Sequence, residues 1–167
     1  MTVLGEHPGT YRISVCQNVM IAYWFGRGSE AAVLRMNELT DQLLATLAAD
    51  TRISYIHLVT NKLELPDAAT RSAFIESTKR YADRSAVSGV VVSGSGFWAS
   101  AIRGFVTGIA VLAPRSFDLR IFATAAELVA WFPAEHARRT GVQLDPDALL
   151  RHLEHAQKSD VPEAAAS

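Results

Sequence analysis

The sequence predicts an α/β domain: a mixed five-stranded sheet that opens with an antiparallel hairpin, continues in parallel strands and carries helices packed against it. Three observations support this. Residues 87–132 read as apolar strand, Ser93-Gly94-Ser95-Gly96 break, helix, turn, strand and closing helix, the repeating unit of such domains. Residues 11–25 form two extended runs joined by Gln17-Asn18. The chain has 167 residues, 49% of them hydrophobic, enough for one domain with a real core.

Taken in order, residues 1–10 are expected to be an N-terminal extension, and the domain to occupy 11–132. Tyr11-Arg12-Ile13-Ser14-Val15 alternates apolar and polar, the period of a half-buried strand. Val19–Phe25, rich in β-branched and aromatic residues, returns antiparallel to it. Gly26 and Gly28 end the hairpin. Ser29 then suits a helix N-cap, with Glu30 against the dipole. Val33, Met36, Leu39, Leu43 and Leu47 recur at helical spacing and should face the sheet. Residues 53–59 read as a strand buried on both faces.

Pro66 sits at a helix start, and residues 67–84 form a solvated helix with Ala69, Ala73, Phe74, Thr78 and Tyr81 inward. A fourth strand holds Val87 and Val90–Val92, and a fifth spans 118–122. Thr124 and Glu127 fit a capping box for the last helix of the domain. After Phe132-Pro133 the character changes. Residues 133–158 read as a helical extension opened by Asp145-Pro146, and 159–167 as a disordered tail.

Composition excludes several function classes. Sixteen Lys and Arg balance seventeen Asp and Glu, so the long-range attraction that drives nucleic-acid binding is missing. The single cysteine, Cys16, rules out an internal disulfide or a cysteine-built zinc site. No secretory signal is visible at the start, so a cytoplasmic location is the default expectation. From Ser85 to Pro114 only Arg103 is charged, longer than the roughly 20 residues that span a bilayer. The Ser-Gly break and a mid-helix Arg103 argue instead for a buried strand and helix.

The helix 97–112 is apolar nearly all round. Phe97, Ala101, Phe105, Ile109 and Leu112 are expected to face the sheet. Trp98, Ile102 and Val106 then form a second apolar face that needs cover from the C-terminal helix, a second copy of the chain in a homodimer, or an apolar ligand such as a lipid.

Polar candidates are weaker. Ser93, Gly94, Ser95 and Gly96 join a strand end to a helix start, where backbone amides can cradle an anion, yet neither a P-loop nor GxGxxG spacing is present. Gly94 and Gly96 flank Ser95 directly, unlike a Gly-x-Ser-x-Gly nucleophile turn. His152 and His155 share a helix face without a third ligand. His57 lies in a strand with no acid partner evident. No cofactor is implied.

The helix start Leu-Pro-Asp-Ala-Ala-Thr-Arg and the closing stretch Phe122-Ala123-Thr124-Ala125-Ala126-Glu127-Leu128-Val129-Ala130-Trp131-Phe132, in this element order, resemble bacterial STAS-like, or SpoIIAA-like, proteins across residues 11–132. The resemblance implies a mixed sheet covered by helices, no enzymatic activity, and service as a protein-docking module in partner switching. Relatives in the broader STAS and SEC14-like grouping handle lipids. The Asp-Ser-Ser-Gly phosphoacceptor of the antagonists of this fold is replaced here by Val59-Thr60-Asn61-Lys62-Leu63, so a phosphorylation switch is not expected. A protein partner would dock on Thr60, Asn61, Lys62, Arg71, Lys79 and Arg80. Binding of a lipid or other apolar molecule around Trp98, Ile102 and Val106 is the alternative.

Overall fold

A computed structural model describes residues 2–7, 10–26, 28–61, 63–112 and 118–158. Its centre is one sheet of six strands in sequential order: β1 (Thr2–His7), β2 (Tyr11–Cys16), β3 (Val19–Trp24), β4 (Ile53–Val59), β5 (Ser85–Val92) and β6 (Leu119–Phe122). β1–β2 and β2–β3 pair antiparallel, and β3 to β6 run parallel. The helices are α1 (Glu30–Thr46), α2 (Ala68–Tyr81), α3 (Gly96–Leu112), α4 (Ala125–Thr140) and α5 (Pro146–Lys158).

Strand count is the first correction. Residues 2–7 are not a free extension but a sixth strand, closed against β2 by the Glu6–Arg12 ion pair at 2.8 Å. An edge strand that buries little beyond Leu4 carries no apolar alternation, so its sequence gives no period to read. A register shift between Val3 and Gly5 bulges it, and a Cβ at Gly5 would stand 2.9 Å from Leu39 Cδ1.

Sequential parallel strands joined by right-handed crossovers must send every crossover helix to the same side. Accordingly, α1, α2 and α3 share one core with Ile13, Met20, Tyr55 and Val90. α4 and α5 seal the other core with Ile21, Ile56, Leu58 and Val91. Local signals fix the helix ends. Ser29 Oγ accepts from Ala32 N–H at 3.3 Å, and Asp67 Oδ1 from Thr70 N–H at 2.8 Å. Glu127 N–H donates to Thr124 Oγ1, while the Glu127 carboxylate reaches back to Ala123 N–H, one residue before the expected capping-box partner. Asp145 caps α5 through Asp147 and Ala148.

Four further expectations need correcting. α4 runs through Pro133 to Gly141, so the change of character at 132–133 marks no helix end. In α2 the buried positions are Thr70, Ala73, Ser77 and Tyr81, and Ala69 faces solvent, because Asn37 and Asp41 of α1 take hydrogen bonds from Ser77 and Tyr81 and set the roll of the helix. In α3 the sheet-facing side is Ala99, Ile102, Val106 and Ile109, whereas Phe97 is 85% exposed. α5 covers α4 rather than α3. The turn at 113–117, the tail at 159–167 and the side chain of Leu112 lie outside the described residues. Among the described residues no helix is long and apolar enough to cross a membrane.

A buried polar knot ties α4 to the sheet. Ser54 Oγ lies 2.8 Å from His136 Nδ1, and Thr140 Oγ1 3.3 Å from His136 Nε2. Thr140 spends its own proton on the His136 carbonyl, so its oxygen accepts from Nε2–H, and Nδ1 accepts from Ser54. Arg139 joins Glu135, Asp118 and the Ala86 carbonyl, linking α4 to the β5–β6 region. The Arg138 and Arg139 guanidiniums hold the Glu135 carboxyl down at about 2.

Gly89 marks the closest approach of helix to sheet. A Cβ there would sit 2.7 Å from Leu128 Cδ1 and 3.4 Å from Phe132 Cδ2, both fully buried side chains. Gly89→Ala is therefore expected to destabilise the fold by about 1–3 kcal/mol through overpacking, measured by urea denaturation. An unchanged midpoint would show that α4 is free to ride outward.

Candidate functional site

Three helices spread over one face of a six-stranded sheet leave a gap between α2 and α3. Its floor is Trp24, His57, Val59 and Val90, and its far side is Leu119. Thr70, Phe74 and Thr78 of α2 form one wall, Ile102, Phe105, Val106 and Ile109 of α3 the other. The cavity measures about 80 Å³. A second cavity of about 40 Å³, under α1 and α2, is lined by Tyr55, Ser77, Ser85 and Ser88. His57, Phe74 and Thr78 line both, so these three side chains stand between the two.

Aromatic edges frame the opening. Phe74 stands edge-on to Trp24 at 5.6 Å and to Phe105 at 5.9 Å, bridging floor and far wall. The rim, formed by Gly28, Leu63 and Pro66, follows the carboxyl ends of β3 and β4, where ligands of parallel α/β sheets gather. It is laced together by Glu64 N–H to the Gly26 carbonyl at 3.0 Å, and by Trp98 Nε1–H to the Leu63 carbonyl at 2.7 Å.

His57 is the central polar group. Trp24 Nε1–H donates to His57 Nδ1 at 3.1 Å, and an indole only donates, so Nδ1 is the acceptor and the ring proton sits on Nε2. Burial holds the imidazole neutral, its pKa lowered to about 4. The ring stacks between Trp24 and Tyr55, at 6.4 and 6.2 Å. Three buried hydroxyls around the cavities, Tyr55 Oη, Ser88 Oγ and Thr70 Oγ1, have no hydrogen-bond partner. Thr40 and Ser85 stand near the Tyr55 phenol; their own protons go to the Met36 and Tyr81 carbonyls, so they can offer it only acceptor oxygens and its own oxygen is left without a donor. Burial pushes the phenol well above its ordinary range. Each orphaned hydroxyl costs about 1–3 kcal/mol if nothing meets it.

The sequence-derived candidates fall on several parts of the molecule. Ile102 and Val106 are buried against the sheet and line the larger cavity, while Trp98 latches its rim. They do not form an outward second face, because α3 is rolled so that Phe97 and Val111 point to solvent instead. Thr60 caps the strand end, its N–H and Oγ1 both directed at the Trp24 carbonyl, and Asn61 beside it is exposed. Lys62 lies outside the described residues.

On α2, Arg71, Lys79 and Arg80 are exposed, but Arg80 pairs with Asp41 at 2.7 Å and Arg71 donates to the Pro66 carbonyl. Ser93 to Gly96 form a strand-to-helix turn with Gly94 and Gly96 at positive φ, backed by Arg103 on the Val92 and Gly94 carbonyls. Among the described residues no cluster of side chains is arranged to hold a metal ion.

Tyr55, Ser88 and Thr70 escaped the sequence reading. Period-two alternation in β4 does put Tyr55, His57 and Val59 on one side, which was a usable signal. Ser88 and Thr70 carried none.

No family model and no curated protein matches this chain. It is similar to a solved structure, an uncharacterized protein of the DUF3478 family with a SpoIIAA-like fold from Shewanella loihica, at 13% identity and a TM-score of 0.48 over 73% of this chain and 91% of that one.

Two imidazoles make stability depend on pH. His57 and His136 are both lowered to about 4 by burial, against 6.5 in the unfolded chain. The unfolded state takes up protons first, so their contribution is complete above pH 6.5 and is lost as pH falls from there towards 4. For fully buried His136 the loss is about 3 kcal/mol at the low end. Urea denaturation between pH 7 and 4 should show the decline, and His136→Gln should flatten part of it. A stability that stays level over this range would mean that the rings take up protons in the fold at the same pH as in the unfolded chain.

Proposed function

We propose that this protein is a non-enzymatic binding module that takes a small apolar molecule into the cavity between α2 and α3. The observation that carries the reading is an apolar chamber at the carboxyl edge of a parallel sheet, with the unpartnered Thr70 hydroxyl in its lining. At about 80 Å³ the chamber is roughly half the engineered aliphatic cavity of about 150 Å³ that takes up benzene, so a short chain is the matched scale and a single ring must also use the open mouth. His57 supports binding over catalysis, since its Nδ1 is held by an indole rather than by a carboxylate that would raise its basicity. Titration with toluene, followed by amide NMR, is expected to shift resonances around Ile102, Val106 and His57. Val106→Phe, which fills the chamber, should abolish the shifts with the fold retained by circular dichroism. Absence of any shift in the wild-type protein would remove the reading.

A second reading uses the opposite side of the same helix. Arg71 and Lys79 are exposed there, suited to an acidic protein surface. Joint Arg71→Glu and Lys79→Glu replacement is expected to release a bound partner in pull-down from the native extract, and retention of that partner would dismiss this surface. Arg80 is left out of the test because reversing it breaks the Asp41 pair within the molecule.

A further inference from the structure

We infer that the molecule held in this site is neutral and amphipathic, with one hydrogen-bonding head at the Tyr55–His57–Ser88 end and its hydrocarbon toward Ile102, Phe105 and Ile109. The inference rests on the apolar-ligand reading and narrows it to a ligand class. Polarity is unevenly distributed between the two adjoining cavities, which share His57, Phe74 and Thr78 and which a ligand spanning both would have to open at these side chains. The α3 wall is hydrocarbon throughout, whereas the inner end collects Tyr55, Ser77, Ser85 and Ser88. Ser88 is 1% exposed and Tyr55 6%, and both hydroxyls lack a partner. Groups this deeply buried are normally satisfied, so their lone pairs and protons mark where a polar atom belongs.

The head's charge follows from the lining. Among the described residues that line the two cavities there is no Lys, Arg, Asp or Glu. A carboxylate or ammonium would therefore enter without a counter-charge, at a cost that a cavity of this size cannot offset. Hydroxyls both donate and accept, and the neutral His57 carries a proton on Nε2, so an alcohol, phenol or carbonyl oxygen is matched at this end.

Calorimetric or NMR titration with p-cresol, toluene and p-toluate, three probes on one ring, tests this. p-Cresol should bind about ten-fold more tightly than toluene, one hydrogen bond's worth, and p-toluate should not compete. Tyr55→Phe and Ser88→Ala should each reduce the p-cresol preference while leaving toluene affinity in place. Since Tyr55→Phe deletes an orphaned hydroxyl without changing shape, its thermal midpoint should be equal or higher, so a lost preference is not a folding failure. Equal affinity for p-cresol and toluene overturns the polar-head inference and leaves the apolar-ligand reading standing. Tighter binding of p-toluate overturns the neutrality of the head. Binding of none of the three overturns the reading along with the inference.

Discussion

The arrangement of the whole molecule depends on the handedness of three crossovers. β3 to β6 lie side by side in chain order and run parallel, so right-handed connections have no freedom over which side α1, α2 and α3 occupy. One face of the sheet thereby receives three helices and the other is left bare until the chain has finished its strands. Residues 125–158 then become indispensable. Leu128, Phe132 and Leu153, each fully buried, come from the two helices that close that bare face. What looks along the chain like an appendage is half of the core.

The same constraint creates the cavity. α1 and α2 are drawn together by Asn37–Ser77 and Asp41–Tyr81, which leaves α3 to cover the remaining strands. Phe74 and Phe105 bridge the gap only edge to face, and the volume beneath them stays open. A polar seam between two helices thus decides where the apolar chamber lies.

Much of this architecture was legible because its signals are local. The hairpin around Gln17-Asn18, the Ser29 cap, the Thr124–Glu127 pair and the buried run of β4 each announce themselves within a few residues. What escaped is set by distant partners. β1 has no period of its own and exists by pairing with β2. The roll of α3, which buries Ile102 and exposes Phe97, depends on the sheet beneath it, since a helix apolar on all sides offers no preferred face. For the site, Trp98, Ile102 and Val106 could be singled out as apolar surplus. Its polar half could not, because Tyr55, Ser88 and Thr70 sit about 15 to 20 residues apart in sequence and meet only across strands and helix.

The two margins of the sheet also govern how copies of the chain can meet. One margin is the bulged β1, with its Glu6–Arg12 pair, and the other is β6, four residues long. Bulges, ion pairs and brevity all discourage a foreign strand from adding to an open ladder. Polymerisation by strand addition, the usual hazard of an unclosed sheet, is therefore blunted at both ends.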